Sequence, residues 1–145
     1  MQVIFLDIDG VLNRLGKAEE GRTTTRWRGF IGMETELVNR FNSLVEQLNV
    51  NVVLSSTWRL DDDWREEMKA NGLTCQFLDK TPHLPGYLRG SEISAWVEGH
   101  PEVTKYAIID DNSDMLPGQP FFQTSYREGL TEEIAQKIIN YFKTA

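Results

Sequence analysis

The stretch Val3-Ile4-Phe5-Leu6-Asp7-Ile8-Asp9-Gly10-Val11-Leu12-Asn13 constrains this chain more than any other. Four apolar residues of strong β type run into two carboxylates at i and i+2, and the glycine that follows lets the backbone turn sharply. In a strand, residues two apart point to one side, so Asp7 and Asp9 can converge just past the strand end while Ile8 packs away. Carboxylates held that close repel unless a cation sits between them or one keeps its proton and serves as an acid. A strand running into an ordinary acidic turn would look the same from these residues alone, so the rest of the chain must supply the other parts of a site.

Composition narrows the field. The 145 residues are 40% apolar, enough for one globular domain over 1–145 that buries about two-thirds of the surface its unfolded chain exposes. The longest purely aliphatic or aromatic runs are short, and the opening lacks the basic-then-apolar order of a signal peptide, so the expected location is the cytoplasm. Cys75 is the only cysteine; it has no partner for an internal disulfide, no zinc spacing surrounds it, and a small core residue is the expected role. A formal net charge of -7 argues against coating long nucleic acid with a basic face, though not against binding one phosphorylated end.

Beyond the opening, Arg14 to Met33 has no helical or strand period and reads as a long loop or small flap. It contains Arg22, Arg26, Trp27, Arg28 and Phe30, in which guanidinium groups can hold phosphate and a Trp face can stack on a base. The plain alternative is a solvated basic hairpin. From Thr35, a plausible N-cap, Leu37, Phe41, Leu44, Val45 and Leu48 fall at helical spacing. Val52 to Leu54 reads as a second buried strand delivering Ser55-Ser56-Thr57-Trp58-Arg59. Asp61-Asp62-Asp63 opens a short helix bearing Trp64 and Met68; acids there suit a helix dipole and need no metal. Leu73 to Leu78 is a weaker third strand, and a loop runs on to Leu88. Ser91 is read as the cap of a helix with Ile93, Trp96 and Val97, and Arg89 stands just before it. Tyr106 to Ile109 is a fourth strand ending in Asp110-Asp111, Phe121 to Thr124 a fifth, and a final helix starts at a Thr131 cap. His83 and His100 have no partner spacing and receive no catalytic role.

Asp7-x-Asp9-Gly10-Val11-Leu12 at the end of a first strand resembles motif I of the haloacid dehalogenase (HAD) superfamily of phosphohydrolases. The resemblance implies that Asp7 is the nucleophile and Asp9 the general acid/base. It matches Ser55 to the hydroxyl of motif II, with Ser56 and Arg59 beside it as substrate contacts, and Arg89 to the cation of motif III, with Lys80 as the fallback. Asp110-Asp111 resembles motif IV, which with Asp7 and the Asp9 carbonyl would hold Mg²⁺; either Asp110 or Asp111 could be the direct ligand. More narrowly, Leu54 to Arg59, Arg89-Gly90-x-Glu92-Ile93 before a Trp, and Ile108 to Asp111 look similar to the HAD domain of Swiss Army Knife RNA-repair proteins.

Strands alternating with helices give an α/β class. The resemblance adds a Rossmannoid three-layer sandwich with a parallel five-stranded sheet of order 5-4-1-2-3 and a minimal cap, since the 45 residues from Gly10 to Leu54 leave room for a flap only. The implied activity is a Mg²⁺-dependent phosphatase acting through an aspartyl-phosphate on a phosphorylated substrate, a nucleotide or polynucleotide end among the options. Competing readings are a small-metabolite phosphatase and a phosphoacceptor or binding module without turnover. A receiver domain fits poorly, because its acidic pair follows the first strand and its phosphoacceptor the third. A P-loop kinase is excluded by the lack of a Gly-x-x-x-x-Gly-Lys-Ser/Thr run.

Overall fold

The protein is described from a computed structural model, covering residues 1–16 and 32–144. Five short strands form one parallel sheet: β1 (Gln2–Leu6), β2 (Asn51–Leu54), β3 (Phe77–Lys80), β4 (Lys105–Asp110) and β5 (Phe121–Gln123). Their order is β3-β2-β1-β4-β5, the expected 5-4-1-2-3 read from the other edge. The central strand β1 is buried on both faces, which is why it reads as a continuous apolar run instead of an alternating one.

The side-chain period of two divides the sheet into two cores. Ile4, Leu6, Leu54 and Ile109 face α1 (Thr35–Gln47), α2 (Trp64–Ala70) and α4 (Glu132–Lys143), with Phe41, Met68 and Ile138 filling the layer. Val3, Phe5, Val53 and Ile108 face α3 (Arg89–Glu98), whose Ile93 and Trp96 are buried against them. Phe5 meets Trp96 edge to face with ring centroids 5.5 Å apart, the geometry aromatic quadrupoles prefer. The chain builds β1, β2 and β3 outward, then crosses by α3 on the opposite face to lay β4 on the other side of β1. That reversal opens a crevice at the carboxyl ends of β1 and β4, where open α/β sheets place ligands.

Several boundaries differ from expectation. The N-cap of α1 is Glu34, not Thr35; its carboxylate is held by Arg14 at 2.6 Å instead of capping. The third strand lies at Phe77–Lys80, later than 73–78, because Leu73 packs into the core at the turn that ends α2. Helix α3 starts at Arg89, so Ser91 lies inside it. Its first N–H groups are satisfied from outside the helix: Asp114 accepts from Arg89 N through its carboxylate at 3.2 Å and from Gly90 N through its carbonyl at 3.1 Å. Thr131 caps α4 as expected, its hydroxyl accepting from Ile134 N at 3.2 Å. Among the described residues no helix is long and apolar enough to cross a membrane.

Candidate active site

The hydrogen-bond ladder continues one residue past the named strands. Asp7 N donates to Ile109 O at 3.0 Å, Ser55 N to Leu6 O at 2.9 Å and Thr81 N to Leu54 O at 3.0 Å. Thr81, Ser55, Asp7 and Asp110 therefore stand in one row across four strands. Each lies two residues beyond a side chain packed toward α3 or paired with one, so all four share that face.

The row meets the first residue of α3. Arg89 Nη1 lies 3.2 Å from Asp7 Oδ1 and 3.2 Å from Asp110 Oδ2, bridging the two buried acids. Lys80, the other cation considered, donates to the Arg59 carbonyl at 3.0 Å and braces a loop. Burial pushes the Asp7 carboxyl above its ordinary range, against the pull of Arg89. Asp110 is pushed well above it, first by burial and then by the Asp7 charge. Both shifts favour the protonated form, and a cation between the two carboxylates would oppose them.

Asp7, Asp110 and Asp111 each offer an oxygen within 4.8 Å of the others. A set of carboxylate oxygens around one point, two of them buried and mutually repelling, suits a hard divalent cation. Gly10 is shaped to this arrangement. Its φ is +83°, and a Cβ there would collide with the Asp111 carboxylate, so a larger residue would displace that side chain.

Asp9 is held apart from this row. Its Oδ1 accepts from Asn13 Nδ2 at 2.9 Å and from Trp58 Nε1 at 3.1 Å. Asn13 also ties the turn down, accepting from Gly10 N at 2.9 Å and donating to Gly32 O at 2.6 Å. With Glu34 N on Leu12 O at 2.9 Å, the chain leaves and re-enters at the site across the segment 17–31. Arg22, Arg26, Trp27 and Arg28 lie outside the described residues.

The Ser55 side chain is fully buried, and its hydroxyl has no hydrogen-bond partner among the described residues. An orphaned buried hydroxyl is costly, and here it stands level with Asp7. The hydroxyl of Thr81, next in the row, is in the same condition. Two expected substrate contacts are corrected. Ser56 is fully buried, and its hydroxyl caps the 3-10 turn Thr57–Leu60 by accepting from Trp58 N at 3.2 Å. Arg59 is 2% exposed and spends its donors on the carbonyls of Ser55, Ser56, Thr81 and Pro82 and on Glu92, so none remains for a substrate. The sequence reading missed Asn13, Trp58, Thr81, Glu92 and Asp114, whose roles depend on contacts between distant segments.

A comparison with protein-family models matches residues 3–135 to the HAD domain in Swiss Army Knife RNA repair proteins. The chain belongs to this HAD family. The match takes in β1 through the first turn of α4, and with it Asp7, Asp9, Ser55, Arg89, Asp110 and Asp111. Neither a search of curated proteins nor one of solved structures found a match. A HAD domain with these acids at the ends of β1 and β4 has a row of oxygens able to hold a metal ion, one cation bridging it, and an unpaired hydroxyl beside it.

Proposed function

We propose that this HAD domain is a Mg²⁺-dependent phosphomonoesterase working through an aspartyl-phosphate on Asp7, with a nucleotide or polynucleotide end as substrate. The observation that carries the reading is the row in which Asp7 and Asp110 meet Arg89, with the Ser55 hydroxyl, unpaired among the described residues, standing level with Asp7. A phosphoryl group needs an in-line nucleophile and donors for its equatorial oxygens, and this row offers both.

Asp7, Asp110 and Asp111 would hold the ion, with the Asp9 carbonyl. Bound there, it would neutralise the repulsion between carboxylate and phosphate and orient the latter. In the first half-reaction an Asp7 oxygen attacks phosphorus and the bond to the ester oxygen breaks, while Asp9 delivers its proton to that leaving oxygen. In the second, Asp9 takes a proton from water as the water oxygen attacks phosphorus. The bond to Asp7 then breaks and inorganic phosphate departs. Ser55 donates to a phosphoryl oxygen throughout, and Arg89 turns from its two acids toward the same charge. Trp58 and Asn13 keep Asp9 beside the row instead of in it.

Two observations support a nucleic-acid end. The family is that of a domain found in RNA repair proteins, and the described residues Asn13 and Gly32, which flank the stretch containing Arg22, Arg26, Trp27 and Arg28 in sequence, are hydrogen-bonded to each other next to Asp9. The net charge of -7 favours a terminus over a long stretch of polyanion. Turnover of a panel running from an aryl phosphate through mononucleotides to 3′- and 5′-phosphorylated oligonucleotides tests the assignment. Preference for an oligonucleotide end is expected; preference for a small phosphate would make this a metabolite phosphatase.

A further inference from the structure

We propose that the buried pair Arg59–Glu92 is the positioning unit of this site, fixing where the Ser55 hydroxyl and the Arg89 guanidinium stand; it rests on the phosphatase reading for the reaction it serves. Arg59 Nε donates to Thr81 O at 3.0 Å, Nη1 to Ser55 O at 3.1 Å and Ser56 O at 2.9 Å, and Nη2 to Pro82 O at 3.3 Å. Nη2 also meets Glu92 Oε2 at 3.0 Å. These carbonyls belong to the two loops that leave β2 and β3, so one planar fork sets the spacing of the loops that carry the Ser55 and Thr81 hydroxyls. Lysine, a point charge with three donors, could not span them.

Glu92 continues the chain toward the reacting centre. Its Oε2 also accepts from Leu84 N at 2.8 Å and has His83 Nδ1 at 3.7 Å. Its Oε1 lies 3.9 Å from Arg89 Nε, one helical turn away on α3. Charges therefore alternate from Asp7 and Asp110 through Arg89 and Glu92 to Arg59. Arg89 is drawn to the acids at one end of its guanidinium and to Glu92 at the other, which holds its Nε beside Glu92 while its Nη1 faces the acids and the phosphoryl position. A buried ion pair is weak evidence for stability, because apolar residues of like volume often serve as well. The partners of this pair are instead the loop of Ser55 and the side chain of Arg89.

Glu92→Gln keeps the shape and an acceptor for Leu84 N but removes the charge facing Arg89. The expected result is a fall in kcat of about 10–100-fold, the size typical of outer-shell changes, with KM for an aryl phosphate nearly unchanged. Arg59→Lys should show the same split together with a lower Tm. Arg65→Lys is the control, since Arg65 also donates to strand carbonyls, of Phe77 and Leu78, away from the row; it should lower Tm and leave kcat alone. A second readout needs no turnover. The Arg89 Nε–H resonance, assigned by its loss in Arg89→Lys, should shift and broaden in Glu92→Gln. An unmoved resonance in folded Glu92→Gln overturns the proposal, and so does wild-type kcat in that variant. If the wild type turns over no phosphate, the phosphatase reading falls while the resonance still decides the positioning claim.

Discussion

Burial and the neighbouring Asp7 charge both push the Asp110 carboxyl up, and the direction of that shift has a consequence for stability. A carboxyl raised in the folded state contributes stability in full below its unfolded value, near the ordinary carboxylate value of 3.8. That contribution is lost as pH rises through the folded pKa. The metal-free protein should therefore be strained at neutral pH by its own site, as functional sites often are. Asp110→Asn, whose amide can donate to Asp7, should raise Tm in chelator at pH 7, by roughly 2–4 °C for each kcal/mol recovered. The gap should close toward pH 4, and the variant should lose Mg²⁺-dependent stabilisation; thermal melts at both pH values check this. Gly10→Ala should act the other way, losing about 1 kcal/mol or more from the positive φ and weakening Mg²⁺ binding by displacing Asp111, measured by calorimetry. The position of Asp7 is legible as an acid that ends an apolar strand, but the convergence of Asp9 with it that period two implies does not occur, because Asp9 turns instead to Asn13 and Trp58. Trp58 on Asp9 and Glu92 beside Arg59 were not legible, since each contact joins segments that only the fold brings together. Arg59 shows the opposite hazard: an arginine beside a hydroxyl run suggests phosphate, and burial turned it inward. Cys75 was read correctly as a residue packed against the core, its thiol pushed up to about 11 by burial.

Helix α3 carries the site's cation, and its start depends on a residue the local pattern hid. Ser91 looked like the cap, yet Asp114, across the chain, supplies the acceptors for Arg89 N and Gly90 N. Tertiary acceptors replaced a local one and moved the cap by three residues, from Ser91 to Leu88, which puts Arg89 in the first turn. Gly90 permits that docking. A Cβ there would come within 2.6 Å of Leu116 N and 2.8 Å of Met115 Cα, backbone atoms that cannot swing aside. Gly90→Ala should cost about 1–3 kcal/mol and displace Arg89, so chemical denaturation and kcat should fall together while far-ultraviolet circular dichroism stays native. The strands ran the other way in legibility. β1 and β4 were clear as apolar runs ending in acids, whereas β3 shifted because Leu73 and Phe77 both pack inward and only pairing with β2 selects the register.

Across the whole molecule, the sheet order follows from the alternation of strands and helices together with the HAD resemblance. Alternation alone gives an α/β class; the HAD resemblance supplies the order that sets the first and fourth strands side by side, where their terminal acids meet. The crevice this creates has an acidic floor, and the protein's charge of -7 would repel a polyanion unless a basic segment met it. Replacing Arg26 and Trp27 together by Ala should therefore raise KM for a phosphorylated oligonucleotide far more than for an aryl phosphate. Equal effects would remove the segment from substrate recognition. The central claim is the phosphoryl chemistry of Asp7, and hydrolysis of an aryl phosphate by wild type and Asp7→Asn, each with Mg²⁺ or chelator, tests it most directly. The account predicts turnover by the wild type with Mg²⁺, none with chelator, and none by a folded Asp7→Asn. Undiminished turnover in Asp7→Asn would contradict it.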